Sequence, residues 1–107
     1  MTDGRRARYV ALFAAEARSL LAGARRTMAE WFDAPTELSH AEEVFRVLHT
    51  IKGMAASLAF DAVTEQTHST ESDLTTVREG VRTTDRTWLR ELERSLDDIA
   101  AECERSG

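Results

Sequence analysis

The stretch "FRVLHTIKGMAASLAF", residues 45–60, decides how this sequence is interpreted. Its apolar residues, with one that precedes it, recur at the intervals of three and four that are typical of an amphipathic helix: Val44, Leu48, Ile51, Ala55 and Leu58. Two features are unusual for such a helix. Gly53 stands in its interior, where glycine costs roughly 1 kcal/mol relative to alanine. Lys52 is the single lysine of the chain, and it follows His49 by three residues.

Length and composition favour a small folded domain. The chain has 107 residues, of which 42% are hydrophobic, with one proline and five glycines. A chain of this size builds one hydrophobic core, so residues 1–107 are predicted to form a single domain. The composition is too apolar and too periodic for a disordered protein. The chain is therefore predicted to be folded and mainly helical.

Charge and cysteine content exclude several classes of protein. The net charge of −5 and the isoelectric point near 5.2 argue against nucleic acid as the main partner. Cys103 is the only cysteine, so neither an intramolecular disulfide nor a zinc framework of cysteines is possible. No apolar run approaches the roughly 20 residues that span a bilayer, and the first residues do not resemble a signal peptide. We expect no membrane insertion and a cytoplasmic location.

Helix signals divide the chain into four segments. Pro35 and a possible N-cap at Ser39 mark the first break, and Asp61 is a plausible N-cap for the third helix. Gly80 ends that helix, since glycine tolerates the left-handed conformation that follows a helix. The predicted helices span about 6–32, 39–59, 62–79 and 85–104. Short connections between four helices predict an all-α, antiparallel, up-down-up-down four-helix bundle.

The second helix places His49 on its outer face. At 100° per residue, the imidazole lies well over 90° from the core stripe, as estimated from ideal helix geometry. Gly53 and Ala56, at i+4 and i+7, share its side and are both small. Lys52, at i+3, lies on the flank between His49 and the core. We therefore expect an accessible histidine with an uncluttered surface beside it, on which a partner would bind.

Folding the second and third helices together brings four polar residues to one region. His68 and Glu71 are three residues apart and share a face of the third helix. If the chain turns near position 60, residues equally distant from the turn lie at the same height of an antiparallel pair. His49 and Glu71 are each about 11 residues from it, and Lys52 and His68 about 8, at the helical rise of 1.5 Å per residue. One cluster is predicted.

Such a cluster suits the acceptance of a phosphoryl group. A carboxylate that accepts the Nδ1–H of an imidazole leaves Nε2 as a nucleophile and stabilises the charge that develops. Glu71 would serve His49 in this way, Lys52 would attract phosphoryl oxygens, and His68 would hydrogen-bond to the group or its neighbours. The chain has no nucleotide-binding loop motif. No cofactor is therefore expected to bind this domain, and the phosphoryl group would have to come from another domain or protein.

The stretches "FRVLHTIKGMAASLAF" and "THSTESDLTTVREG", residues 45–60 and 67–80, together resemble the histidine phosphotransfer (Hpt) domain family. The similarity is greatest to the N-terminal phosphotransfer domain of CheA-type chemotaxis histidine kinases, and "YVALFAAEARSLL" also resembles the opening segment of such domains. The resemblance covers Tyr9 to about Gly80. Two positions depart from the family pattern: Met54 stands where a small residue is common, and Ala59 stands where a glycine usually precedes the phenylalanine.

The resemblance implies a function and two partners. His49 would be phosphorylated by the ATP-binding domain of a histidine kinase and would pass the phosphoryl group to an aspartate of a response-regulator receiver domain. Lys52 and Gly53 match the lysine and glycine of the family motif, while His68 and Glu71 match its H-x-x-E motif. The chain would be either a piece of a CheA-like kinase or a stand-alone phosphotransfer protein.

Two other functions remain open from the sequence. His49, His68 and Glu71 could converge as metal ligands, although di-iron bundles need Glu-x-x-His on two helices and Lys52 would repel a cation. The bundle could also be a docking or dimerisation module without chemistry.

Overall fold

The computed structural model describes residues 2–106, which form four α-helices and no strand. The helices are α1 (Thr2–Asp33), α2 (Ser39–Ser57), α3 (Asp61–Arg78) and α4 (Arg86–Ser106). Each helix packs against the two that are its neighbours in a ring: α1 against α2 and α4, and α3 against α2 and α4. The prediction of an all-α, antiparallel four-helix bundle is confirmed. None of these helices is long and apolar enough to cross a membrane.

Two of the predicted helix caps are wrong. Ser39 is the first residue of α2 and Leu38 takes the N-cap position, with no side-chain hydrogen bond. Asp61 is likewise the first residue of α3, and Phe60 is its N-cap. The carboxylate of Asp61 still lies in the first turn, where a negative charge interacts favourably with the helix dipole. A residue that favours helix starts can therefore act by charge from inside the helix instead of by capping it.

Helix α4 has a side-chain cap at its start. Asp85 accepts a hydrogen bond at Oδ1 from the backbone N–H of Trp88, over 2.8 Å. This is the N-cap to N3 bond that satisfies one of the free amide groups at a helix start. The predicted start at residue 85 is thus the cap itself, and the helix begins at Arg86.

The turn between α2 and α3 sets the register of the two helices. The N–H of Phe60 donates to the carbonyl of Ala55 over 2.9 Å, and the N–H of Ala59 donates to Ala56 over 3.1 Å. This pair of bonds is a Schellman motif, which requires a left-handed residue just past the helix. Ala59 fills that position with φ of +58°. The helix therefore ends at Ser57, two residues before the predicted end.

Helix α1 extends to Thr2, four residues beyond the predicted start, and its first turns hold this corner of the bundle. Arg6 donates from Nη2 to the carbonyl of Leu58 over 3.0 Å, which satisfies a free carbonyl at the end of α2. Its guanidinium carbon also lies 5.8 Å from the ring centre of Phe60. The ring of Phe13 meets that of Phe60 edge-on at 5.2 Å. These contacts fix the α2–α3 turn against α1.

The core draws on all four helices, as the apolar stripes predicted. Its largest fully buried side chains include Met28, Trp31, Leu48, Ile51, Leu74, Leu89, Leu96 and Ile99. Helix α3 contributes two buried threonines to its stripe, Thr67 and Thr70. Their hydroxyl groups donate to backbone carbonyls one turn earlier, over 2.8 and 3.0 Å. These bonds allow a weakly apolar helix to be buried without leaving polar groups unpaired.

Candidate active site between α2 and α3

His49 and Glu71 meet across the contact of α2 with α3. Nδ1 of His49 lies 2.8 Å from Oε2 of Glu71. The two side chains differ greatly in exposure: that of His49 is 66% exposed and that of Glu71 is 6% exposed. Among the described side chains, Glu71 is the only charged one that is buried. An exposed ring is therefore held by a partner in the protein interior.

Lys52 is the second partner of Glu71. Its Nζ lies 2.5 Å from Oε1, and the lysine side chain is 26% exposed. This close ion pair places a positive charge directly against the buried carboxylate. Burial raises the pKa of Glu71, but Lys52 and His49 together lower it by more, and the resulting pKa lies below the usual value of the carboxyl. Glu71 is thus ionised at neutral pH.

Lys52 and His68 are not paired, although their equal distance from the turn placed them at the same height. The long lysine side chain reaches the buried carboxylate instead. His68 is exposed on α3, one turn before Glu71, and no described residue hydrogen-bonds to its ring. The structure therefore brings together His49, Lys52 and Glu71, whereas His68 lies exposed one turn away on α3.

Gly53 and Ala56 lie exposed on the same side of α2 as His49. A Cβ added at Gly53 would meet nothing within 4 Å, and the residue lies in regular helix. Neither the backbone conformation nor the packing of this chain requires a glycine there. The surface next to the imidazole is consequently low and open.

Three further residues extend the site along the same contact, and the sequence analysis did not single them out. The ring of Phe45 lies parallel to that of His49, with centroids 6.0 Å apart and 10° between the planes. The guanidinium carbon of Arg78 lies 4.3 Å from the centre of the Phe45 ring, and Nη2 of Arg78 lies 2.8 Å from Oε1 of Glu42. We call the line formed by these three residues with His49, Lys52 and Glu71 the α2–α3 seam.

The comparison of distances from the turn near position 60, which places Glu71 opposite His49, also predicts the positions of these residues. Glu42 and Arg78 are each 18 residues from position 60, so they also lie at one height. Phe45 precedes His49 by four residues and therefore shares its side of the helix. Opposite charges at equal distances from the turn would have identified the second ion pair.

The seam favours one tautomer of His49. An ionised carboxylate can only accept hydrogen bonds, so the proton of the neutral ring is assigned to Nδ1. Nε2 then carries a lone pair, and no residue within the described range 2–106 hydrogen-bonds to it. In the same range, no group of three or more histidine, cysteine, aspartate or glutamate side chains is arranged to hold a metal ion. The geometry therefore offers an exposed nitrogen nucleophile with a buried counter-charge.

A family profile, described as the Hpt domain, matches residues 8–102. The chain belongs to the Hpt domain family. It is also similar to the chemotaxis protein CheA of Bacillus subtilis strain 168, with 34% identity over 65 residues. That match covers 61% of this chain but only 10% of the length of CheA. The resemblance that the sequence suggested is thereby confirmed.

Two solved structures extend the similarity of this Hpt domain to three dimensions. The CheA phosphotransferase domain of Thermotoga maritima superposes with a TM-score of 0.85 at 26% identity, over 92% of this chain and 93% of that one. A solution structure of a CheA histidine phosphotransfer domain gives a TM-score of 0.80 at 26% identity, over 92% and 74% of the two chains. The bundle architecture is therefore shared over nearly the whole length.

Proposed function

We propose that His49 of this Hpt domain accepts a phosphoryl group on Nε2 from the ATP-binding domain of a histidine kinase and passes it to an aspartate of a receiver domain. The observation that carries the proposal is the pairing of an exposed imidazole with a buried, ionised carboxylate over 2.8 Å. Family membership supplies the class of reaction, and the seam supplies the nucleophile. The similarity to CheA suggests a chemotaxis-type pathway in the cytoplasm.

The first transfer follows from the tautomer. The Nε2 lone pair forms a bond to the γ-phosphorus of ATP as the bond from that phosphorus to the bridging oxygen breaks, and ADP leaves with the electron pair. The ring keeps its proton on Nδ1 and becomes cationic. Glu71 is already in contact with Nδ1, so the positive charge forms next to a negative one. No proton has to move in this step.

The second transfer reverses these changes. A carboxylate oxygen of the receiver aspartate forms a bond to phosphorus while the bond between Nε2 and phosphorus breaks. The ring recovers its lone pair and returns to the neutral form that Glu71 holds. The ring of His49 is thus suited both to attack and to leave, because Glu71 stabilises the cation without removing its proton.

Lys52 and His68 are proposed to support the phosphoryl group. Lys52 neutralises Glu71 on the side away from His49 and is partly exposed, so its ammonium group can also attract phosphoryl oxygens. His68 lies exposed one turn from Glu71 and would hydrogen-bond to the group after it has arrived. Gly53 and Ala56 leave room for a kinase or receiver active site to close over the imidazole.

The chain contains no motif for binding ATP, which is why the donor is assigned to a separate kinase domain. Since the chain matches only a tenth of CheA, the activity and partners of a complete kinase are part of this proposal. The alternative of a metal site receives no support, because the ammonium of Lys52 lies against the carboxylate that would be a ligand.

Labelling identifies the acceptor. The domain is incubated with a CheA-type kinase domain and radiolabelled ATP, and the adduct is tested for lability in acid and stability in alkali. His49→Gln is expected to abolish the label. His40→Gln is the matched control, because His40 lies against Trp31, outside the seam. This variant should be labelled as fully as the unchanged domain. A label that survives in His49→Gln would refute the assignment.

A further inference from the structure

The orientation of His49 needs more support than one hydrogen bond supplies. Its side chain is 66% exposed, and exposed side chains exchange between rotamers within nanoseconds. The described contacts of its ring are the bond to Glu71 and the stack on Phe45. If the ring swings into solvent, Glu71 loses its hydrogen-bond donor and Nδ1 no longer has a fixed partner. The Phe45 stack is thus the second constraint on the nucleophile.

Phe45 is placed to act as that constraint. It is half-buried on α2, one turn before His49, and the two planes are parallel to within 10°. A centroid separation of 6.0 Å falls in the range of offset-stacked aromatic pairs. A parallel neighbour restricts rotation of the imidazole about its side-chain bonds, because the ring can turn away only by giving up the stack.

Arg78 in turn holds Phe45. Its guanidinium carbon lies 4.3 Å from the centre of the phenyl ring, a cation–π distance, and its charge is paired with Glu42 at 2.8 Å. Glu42 precedes Phe45 by three residues on α2 and His49 follows it by four, so the ion pair with Arg78 anchors the guanidinium next to the phenyl ring. The phenyl ring therefore contacts both the guanidinium of Arg78 and the imidazole of His49.

We propose that Phe45 and Arg78 are positioning residues for His49. Arg78 confines the ring of Phe45, and that ring keeps the imidazole in the rotamer whose Nδ1 bonds to Glu71. Neither side chain hydrogen-bonds to the reacting nitrogen, so both act through the position of the His49 ring. The effect on phosphorylation rests on the function proposed above, whereas the effect on the tautomer of His49 does not.

Nuclear magnetic resonance of the ¹⁵N-labelled domain tests the proposal. The readout is the fraction of neutral His49 that is protonated on Nδ1. Phe45→Leu is expected to lower this fraction, and Arg78→Gln to lower it less. Phe45→Tyr and Arg78→Lys, which keep the ring and the charge, should restore it. Arg25→Gln is the matched control, since Arg25 pairs with Asp97 on the surface between α1 and α4, away from the seam. It should leave the fraction unchanged.

The rate of His49 phosphorylation by a small donor measures the effect of these residues on the nucleophile without a protein partner. Phosphoramidate donates its phosphoryl group to Nε2 as its own P–N bond breaks and ammonia leaves. Phe45→Leu should slow this step by about threefold to tenfold, the range that the loss of one aromatic stack corresponds to. If the unchanged domain takes no phosphoryl group, the proposed function fails while the tautomer measurement still decides the role of Phe45.

One result would overturn the proposal. The fraction of neutral His49 protonated on Nδ1 would be unchanged in both Phe45→Leu and Arg78→Gln, with each variant shown by circular dichroism to be folded. Should Phe45→Leu fail to fold, Arg78→Gln alone decides, because Arg78 is a surface residue whose loss leaves the core intact.

Discussion

Glu71 holds His49 from the interior of the bundle, with its Oε2 only 2.8 Å from Nδ1 of the ring. The arrangement separates two requirements of a phosphoryl acceptor. The nucleophile has to be reached by other proteins, so it lies at the surface. The electrostatic interaction that stabilises its cationic form is stronger where water is excluded. Antiparallel packing of α2 and α3 satisfies both, because it places a buried residue of one helix beside an exposed residue of the other.

Replacement of Glu71 by glutamine is expected to slow phosphorylation of His49. The amide keeps the shape of the side chain but loses the negative charge that stabilises the cationic ring. A charge-assisted hydrogen bond contributes about 1.5–3 kcal/mol, which corresponds to a rate reduction of roughly tenfold to a hundredfold. Initial rates with a kinase domain measure this. Glu79 is an exposed residue near the end of α3, so Glu79→Gln is the control. If Glu71→Gln were phosphorylated as fast as Glu79→Gln, Glu71 would have no role in the mechanism.

The lowered pKa of Glu71 predicts how stability depends on pH. In the unfolded chain the carboxyl titrates near its usual value of 4.5, and in the folded domain it titrates lower. Between these two values the unfolded state binds more protons, so the stabilisation by Glu71 is complete above the unfolded pKa and is lost as pH falls through the folded pKa. Urea unfolding at a series of acidic pH values measures the loss.

The glutamine variant serves as the control for this pH dependence. Glu71→Gln has no carboxyl to titrate, so its stability should fall less steeply as the pH drops below 4.5. Parallel curves for the two proteins would show that another group is responsible.

The α2–α3 turn contains a substitution that should stabilise the domain. Ala59 adopts φ of +58°, and a residue with a Cβ pays roughly 1–2 kcal/mol for the left-handed region. Ala59→Gly is therefore expected to raise the free energy of unfolding by about 1 kcal/mol. The change lies ten residues from His49, so the rate of phosphorylation should not alter.

Gly80 offers the reverse experiment in the same protein. It ends α3 in an equivalent turn with φ of +74°, and a Cβ there would meet no atom within 4 Å. Gly80→Ala should thus lower stability by about the amount that Ala59→Gly raises it, since only the backbone conformation is at issue. Chemical denaturation measures both. A loss of stability in Ala59→Gly would contradict the assigned turn.

Gly53→Ala is expected to raise the stability of the domain while it slows phosphorylation by a protein partner. A methyl group at this position contacts nothing and removes a glycine from a helix, so the domain should become more stable by roughly 1 kcal/mol. Phosphorylation by a kinase domain should nevertheless slow, because the methyl group stands where the partner approaches the ring. Phosphorylation by phosphoramidate, a small donor, should be unaffected.

Gly23→Ala is the control for this comparison. Gly23 also lies within a helix, on α1, and an added Cβ would meet only the end of the Arg26 side chain at 3.6 Å. It should gain stability without any change in phosphorylation. Equal rates of phosphorylation by the kinase domain in Gly53→Ala and in the unchanged protein would exclude the proposed role of Gly53.

The sequence predicted the bundle and the facing pair because both depend on regular geometry. Helical periodicity and a turn near position 60 are sufficient to place Glu71 opposite His49. The same reasoning placed Lys52 in the cluster, but it did not show that the long side chain contacts the buried carboxylate of Glu71. His68 was grouped with the cluster by its height and by the face that it shares with Glu71, and neither determines which contact a side chain makes.

Local backbone details were also beyond sequence patterns. Asp61 and Ser39 favour helix starts in general, but the turns before them place Phe60 and Leu38 at the caps. The left-handed conformation of Ala59 follows from the way α2 must turn into α3, and alanine gives no sign of it. Such features depend on tertiary packing, which overrides the preference of a single residue.

Nε2 of His49 is proposed to be the atom that carries the phosphoryl group. Magnetic resonance of the phosphorylated, ¹⁵N-labelled domain tests it directly, because coupling to phosphorus identifies the ring nitrogen that is bonded to it. We expect coupling at Nε2 of His49 alone, with the proton retained on Nδ1 beside Glu71. Coupling at Nδ1, or at a nitrogen of His68 or His40, would contradict it.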